Sequence, residues 1–395
     1  MAEIPGPELL DVAIVGGGPV GMFLGILLAR QGLSFRILEQ RAGSSPHSRA
    51  IGIHPPALAA LAQAGVGAAL DAEGVHIRDG VARSRGRLVQ GLSFADASPA
   101  SPHILTLQQA RTEAILEARL RELAPGALLR GVHVQSMHDA GTHVELAASP
   151  AAGDPDGATC RARLVVGADG GHSTIRRELG IATTGREYPD TYLMGDFPDT
   201  GSDGATAVLY LEPGGIVESF PLPDGLRRWV VHTDSLLEGA SARELAALIR
   251  RRTGTSVDAA ANSMLSAFGV RSRMAVRMVQ GRAVLVGDAA HQVSPIGGQG
   301  MNLGWLDAAA LAPVIGSALR GRPTGLLLER FEKTRMSAAR RASWQAGLNM
   351  ALGRPLPASC LEVRNATLAR VLHSTWLRNA VARRFTMQPV GRARQ

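Results

Sequence analysis

Several residue types are scarce in this 395-residue chain, and each scarcity closes off a class of function. There are two cysteines, Cys160 and Cys360. They offer no metal-ligand spacing, and two isolated cysteines do not point to a disulfide framework. The 11 histidines form no H-E-x-x-H or similar pair, so no metal site is expected. Aromatic residues make up only 4%, too few for a platform on which nucleic-acid bases stack. Lysine is nearly missing: Lys333 stands alone among 42 basic residues, and the arginines are spread along the chain. That pattern reflects codon bias rather than a nucleic-acid patch. The net charge of +8 still gives a mild attraction to anionic substrates or surfaces. No apolar run reaches the roughly 18 uncharged residues of a membrane span. The most apolar stretch, Val12 to Leu28, is broken by five glycines and a proline. No basic region precedes it and no small-residue cleavage site follows, so no signal peptide and a cytoplasmic location are expected.

What the chain does have is length and 45% apolar content, enough for more than one core. It opens as strand, helix, strand over Asp11 to Val15, Pro19 to Gln31 and Ser34 to Leu38. His54-Pro55-Pro56 starts a helix that runs to about Ala64 and is closed by Gly65. Arg87 to Phe94 has strand character, and Gln109 to Leu123 is helical with an apolar stripe. Val132 to Met137 and Thr142 to Ala147 predict a hairpin, and Ala148 to Ala158 a surface loop. Arg163 to Val166 is a short buried strand ending in a glycine turn. From about Tyr188 the texture changes. Thr191 to Phe197, Ala205 to Leu211, Gly215 to Phe220 and Arg228 to Thr233 read as consecutive antiparallel strands. Ser241 to Arg252 is a helix with a capping box, Ser241 and Glu244. Ala283 to Val286 returns to a buried strand, and the pattern after Met301 is mostly helical. The fold class is therefore α/β with an inserted antiparallel sheet. Residues 1–75, 98–180 and 272–320 are expected to form one discontinuous domain around the opening strand–helix–strand unit. Residues 76–97 and 181–271 are expected to form a second domain around the inserted sheet, and 321–395 a C-terminal helical region.

Three constellations carry chemistry. Gly16, Gly18 and Gly21 fit G-x-G-x-x-G between a strand and a helix. The first glycine allows the tight turn, the second lets a pyrophosphate approach, and the third permits close helix–strand packing. Glu39 follows 18 residues after Gly21, where an acid that accepts from a ribose belongs. This alone does not separate FAD from NAD. The second constellation, Gly167 to Arg176, runs a strand into a glycine turn with Asp169 and then a helix capped by Ser173. Its plain alternative is a corner in which Asp169 only satisfies turn amides. The third runs Gly287-Asp288-Ala289-Ala290-His291 through Pro295 to Gly297-Gly298-Gln299-Gly300-Met301-Asn302-Leu303-Gly304. Asp288 at a strand end can meet polyol hydroxyls. The glycines let a flat ring lie close to the backbone, and the helix that follows points its positive end at that ring.

These blocks, in this order, resemble the class A flavoprotein aromatic hydroxylases, the family of para-hydroxybenzoate hydroxylase. The resemblance covers about Asp11 to Leu311 and is weakest in the inserted sheet. It implies a para-hydroxybenzoate hydroxylase-like fold, with a Rossmann-type FAD domain and an inserted β-sheet domain over the substrate. It implies non-covalent FAD, with NADPH or NADH and O2 as co-substrates. Gly16, Gly18 and Gly21 would hold the pyrophosphate, Glu39 the adenosine ribose, and Arg49 would lie near the pyrophosphate and the flavin. Gln109 would meet the ribityl chain, Asp169 and Arg176 would serve FAD and NAD(P)H, and Asp288 the ribityl hydroxyls. Pro295 and the segment Gly297, Gly298, Gln299, Gly300, Met301 and Asn302 would line the isoalloxazine. The implied activity is hydroxylation of an aromatic or polyketide-like molecule through a flavin C4a-hydroperoxide. The alternatives are an FAD reductase or dehydrogenase without oxygen insertion, or a non-catalytic flavin-binding protein.

On the substrate sheet, Tyr210, Glu218, Phe220, Trp229 and His232 are candidates to face the cavity. His232 or Tyr210 is the expected catalytic base toward a phenol. Leu368, Val371, Leu372, Thr375 and Trp376 keep helical spacing beside Arg370, Arg378, Arg383 and Arg384. Such a helix either packs on its own domain, the favoured reading, or lies on a membrane surface.

Overall fold

The computed structural model describes residues 8–43, 49–95, 101–150 and 158–388. Ser48 and the middle of the predicted Ala148 to Ala158 loop lie outside them.

The first core is a sheet sandwiched by helices. The strand Leu9–Val15 pairs in parallel with Phe35–Glu39 on one side and Ala158–Gly167 on the other. Val12, Ala13 and Ile14 are fully buried, as a strand covered on both faces must be, which explains its unbroken apolar run. Leu128–Arg130 extends the sheet beyond Phe35–Glu39, and Ala283–Leu285 extends it beyond Ala158–Gly167. The hairpin Val132–Asp139 and Val144–Pro150 packs antiparallel onto Ala158–Gly167, so both arms run further than the sequence predicts. Helix Pro19–Ala29 starts with Pro19 in its first turn and buries Met22, Phe23, Leu24 and Ile26 against this sheet.

The second core lies under an eight-stranded sheet. Its strands in order are His291–Gln292, Met264–Ala275, Thr183–Pro198, Leu226–Thr233, Val217–Leu222, Ala207–Tyr210, Asp79–Ser84 and Arg87–Ser93. Sequence reading finds no strand at Met264–Ala275, because Gly269, Arg271 and Arg273 interrupt its apolar residues. Its pairing with Thr183–Pro198 also draws that strand eight residues upstream of the expected Thr191. Helix Ala242–Thr253 covers the outer face with Leu245 and Ile249, and its capping box forms as the sequence predicts.

The late helices close the molecule. Gly300–Leu319 packs on Pro19–Ala29, with buried Trp305 donating its indole N–H to Pro19 O at 3.1 Å. This helix is long and apolar enough to cross a membrane, but Leu303, Trp305, Leu311 and Ile315 spend its apolar surface inside the fold. Gly325–Gly353, Ala358–Leu372 and Thr375–Phe385 follow. The C-terminal stripe is largely used internally: Leu368, Val371 and Leu372 reach a central cavity, whereas Trp376 stays exposed.

Candidate active site

A single cavity of about 1630 Å³ runs between the two sheets. Ligand pockets usually enclose about 300–1,000 Å³, so this one has room for a cofactor and a second molecule. It begins at the dinucleotide turn. Gly16 has φ +106°, and a Cβ there would sit 2.3 Å from Ala168 O. A Cβ on Gly21 would sit 1.9 Å from Gly16 O, so this glycine lets the helix close on the turn. Gly18 differs, because a Cβ there meets nothing within 4 Å and would point into open cavity. That open face suits a ligand that lies against the backbone.

Glu39 is 4% exposed at the end of its strand. Its carboxylate accepts from Gly17 N at 2.7 Å and from Arg41 N and Nε at 2.9 Å each. Burial pushes its pKa up, but Arg41 and the two amides outweigh this and hold it below the ordinary value. It is thus an anion that lines the cavity beside the turn.

The second turn lies against the first, with Ala168 N donating to Val15 O at 2.7 Å. Asp169 Oδ2 accepts from Thr174 N and Ile175 N at 2.7 and 3.1 Å. Its Oδ1 is buried without a partner. One oxygen of this aspartate therefore satisfies the turn, and the other is unsatisfied on a residue of the cavity wall. Burial raises its pKa, more than the hydrogen bonds lower it. Arg176 behaves otherwise than expected. It does not line the cavity, because its guanidinium donates to Ala289 O and Gly171 O, each at 2.8 Å. It ties the second constellation to the third, and its neighbour Arg177 reaches the cavity instead.

In the third constellation Asp288 opens onto the cavity, while the protein around it raises its pKa. Behind it lies a charge cluster that sequence reading left without a role. His291 Nε2 meets Asp307 Oδ2 at 2.6 Å, and Arg335 Nε meets Oδ1 at 2.6 Å. Gly287 N donates to the same Oδ2 at 3.0 Å, so Asp307 fixes the turn that presents Asp288. His291 and Asp307 are both fully buried. Burial works against both charges, but each partner's charge prevails, so His291 is raised and Asp307 lowered.

Pro295, Gly297, Gly298, Gly300 and Met301 line the cavity. Gly297 and Gly298 have φ +94° and +65°, which explains the glycines there. Gln299 and Asn302 are buried off the cavity. Asn302 accepts from His54 N at 2.8 Å and donates to Gly52 O and Gly298 O, at 2.9 and 2.8 Å. It braces the glycine loop rather than touching a ligand. His54, read from sequence only as a helix start, lines the cavity, and burial pushes its pKa down to about 4. Gln109 lines the cavity and donates to Glu113 Oε1 at 2.7 Å. The Arg49 guanidinium lies 5.2 Å over the Phe268 ring of the second sheet. Desolvation and then Arg271 lower its pKa.

The second sheet follows the strand alternation of two. Leu209 on one strand, Glu218 and Phe220 on the next, and Arg228 and Val230 on the third face the cavity. Tyr210 and Trp229 face the other way, stacked at 5.9 Å beneath helix Ala242–Thr253. His232 is also off the cavity. Its Nε2 lies 3.4 Å from Asp190 Oδ1, which also binds Arg354. Both expected bases, His232 and Tyr210, are therefore corrected: neither reaches the chamber. Arg228 does, but Asp196 neutralises it through contacts of 2.7 Å at Nε and NH2.

Off the cavity lining, the fold brings Asp71, His76 and His103 together, with one ligand atom of each within 4.8 Å of the others. Asp71 Oδ1 lies 2.8 Å from His76 Nε2, an ion-pair distance without hydrogen-bond alignment, and the two imidazoles stack at 4.1 Å.

The cradle fits FAD: Gly18 is open, Asp169 Oδ1 lacks a partner, and Asp288 faces the same continuous space. Comparison with known proteins agrees. The FAD-binding domain family (FAD_binding_3) matches residues 9–346. The chain is 33% identical over 341 residues to 6-methylpretetramide 4-monooxygenase of Streptomyces rimosus, covering 85% of this chain and 60% of that one. It is 32% identical over 334 residues to rifampicin monooxygenase of Streptomyces venezuelae, covering 81% and 67%. The chain thus spans 60% to 67% of the length of these relatives. The p-nitrophenol 4-monooxygenase of Pseudomonas putida superposes with a TM-score of 0.86 at 24% identity, over 96% of this chain and 98% of that one. The anhydrotetracycline hydroxylase of Streptomyces rimosus gives 0.78 at 27%, over 97% and 78%. The fold is thus that of the para-hydroxybenzoate hydroxylase-like enzymes, and the chain belongs to the FAD-binding domain family that includes these flavoprotein monooxygenases.

Proposed function

We propose that the protein is an FAD-dependent monooxygenase that uses NAD(P)H and O2 to hydroxylate an aromatic or polyketide-like molecule. One observation carries this reading. The space beside Gly18, Asp169 and Asp288 continues without a wall into an apolar chamber under the second sheet. A small molecule held in that chamber lies next to whatever fills the glycine loop.

Gly16, Gly18 and Gly21 would hold the pyrophosphate of FAD, Glu39 its ribose, and Asp288 its ribityl hydroxyls. Gly297, Gly298, Gly300 and Met301 would lie against its ring. Bound FAD supplies the redox chemistry with NAD(P)H and O2. The chain's own part is positioning and exclusion of water. Met194, Leu209, Ile216, Phe220 and Val230 give the chamber apolar walls, which suit fused or single aromatic rings. The names of the relatives support a substrate of this kind. A cytoplasmic setting would supply the reduced nicotinamide.

The test is direct. The purified protein should carry a flavin spectrum, and an aromatic panel should raise its NADPH or NADH oxidation several-fold. A protein that takes up FAD but whose nicotinamide oxidation ignores every aromatic would overturn the reading.

A further inference from the structure

Under the second sheet, the chamber wall carries a carboxylate that the fold leaves without a partner. Glu218 is the second residue of strand Val217–Leu222, between Leu209 and Val230 on the neighbouring strands. Its side chain faces the cavity, and the residue is only 8% exposed. Among the described residues it has no hydrogen-bond or ion-pair partner. Natural folds rarely bury a carboxylate unpaired, because its desolvation is not repaid. Leu209, Ile216, Phe220 and Val230 give it nothing to bond.

The other charged and titratable groups around the chamber do not answer it. Arg228, on the neighbouring strand two residues along from Val230, is held by Asp196. Arg384 lies over Trp344, and Arg186 over Tyr188. Arg49 and Arg271 stand near each other toward the cofactor end, where Arg271 also acts on Asp288. The Tyr192 hydroxyl, packed with Met194, Ile216 and Val230 on the chamber side of the sheet, has no hydrogen-bond partner either, and the Glu218 charge helps to push its pKa up after burial has done so.

We propose that Glu218 is the catalytic base of the substrate chamber, and that its partner is a phenolic or enolic hydroxyl of an otherwise apolar ring substrate. This rests on the monooxygenase reading and names the residue that reads the substrate. The hydroxyl O–H bond breaks, and the proton forms a new O–H bond on a Glu218 carboxylate oxygen. The electron pair stays on the substrate oxygen and raises electron density at the ortho and para carbons, where an electrophilic oxygen is accepted. The same carboxylate repels substrates that carry their own carboxylate, so the chamber favours neutral phenols. Burial places the Glu218 pKa at about 7, near the operating pH, which suits a group that must both take and release a proton.

The test compares two probes, 2-naphthol and its methyl ether 2-methoxynaphthalene. Their binding to FAD-loaded enzyme is followed by the change in flavin absorbance, in wild type and in Glu218→Gln. In wild type, preference for the naphthol over the ether should grow to about 10- to 100-fold as pH rises past 7, the range of a charge-assisted hydrogen bond. In Glu218→Gln, which keeps shape and polarity, the preference should be a few-fold and flat with pH. Equal preference and equal pH dependence in both proteins would overturn the assignment and leave the monooxygenase reading standing. An FAD-loaded protein whose flavin responds to neither probe would overturn both. If Glu218→Gln does not fold, Glu218→Asp replaces it: a shortened acid that keeps the pH dependence at weaker preference supports the proposal, and loss of that dependence contradicts it.

Discussion

The two halves of the cavity are made of different material. The cofactor half is built from backbone: Gly16, Gly18, Gly21, Gly297 and Gly298 supply turns, open faces and amides. The substrate half is built from side chains projecting alternately from strands, with one acid among apolar neighbours. Backbone sites tolerate almost no change in shape, whereas a side-chain site can be rebuilt one residue at a time. One wall can therefore serve many substrates through the other.

The sharpest break in this comparison is Gly21→Ala. Its methyl would fall 1.9 Å from Gly16 O, and backbone cannot step aside. A loss of stability above about 4 kcal/mol is expected, seen as failure to fold or to retain FAD. Gly18→Ala is the control, since its methyl meets no protein atom. The melting temperature of the FAD-free protein should stay unchanged while FAD affinity falls at least about tenfold, or about 1.4 kcal/mol. If both variants behave alike, the division of roles among the glycines is wrong.

Next in size is Asp307→Asn. It leaves the buried His291 and the partly buried Arg335 without their anion, a change that costs about 3–5 kcal/mol. The pH dependence follows from the two shifts. His291 is raised above its ordinary value, so its contribution is full at low pH and lost as pH rises through its folded value. Asp307 is lowered, so its contribution is present above the ordinary 3.8 and lost as pH falls through its folded value. Wild-type stability should therefore fall off on both sides of a plateau, and the variant should lose that shape in chemical denaturation.

Glu218→Gln should change stability in the opposite direction. The folded carboxyl titrates near 7 against an ordinary 4.5. Its neutral form is favoured, so stability is full below 4.5 and is lost as pH rises through about 7. At pH 8 the variant should be more stable than wild type by on the order of 3 kcal/mol, and at pH 4 equal to it. Its turnover of neutral phenols should drop about 100-fold. A group that costs stability and supports rate marks a functional site, and stability gained without loss of rate would count against it. The smallest effect is expected from Ser241→Ala, which removes the capping box on the far face of the substrate sheet. It should cost about 1 kcal/mol and leave FAD and substrate binding untouched.

The same division explains what could be read from sequence. A glycine that must adopt φ +106°, or must clear a neighbouring carbonyl, leaves a mark in the chain at a set spacing. Gly16, Gly21, Asp288 and the glycine loop were legible for that reason. The braces behind them were not. Arg176, Asn302, His291 and Asp307 are polar residues whose partners lie on other elements, and only the fold shows that they hold backbone. The substrate wall was less legible still. Val217–Leu222 and Leu226–Thr233 are buried on both faces, so no apolar–polar alternation marks the inward side. Tyr210 and His232 have the more familiar chemistry, yet the pleat turns Tyr210 under a helix, and Asp190 holds His232 away from the chamber.

The central claim is that one cavity brings a flavin cofactor and an aromatic molecule together for oxygen transfer. It is tested most directly by turnover under isotopically labelled dioxygen, with FAD-loaded enzyme, reduced nicotinamide and a substrate from the aromatic panel. The account predicts one labelled oxygen atom in each hydroxylated product molecule, with one nicotinamide oxidised per product. Nicotinamide oxidation that yields only hydrogen peroxide, or a product free of label, would contradict it.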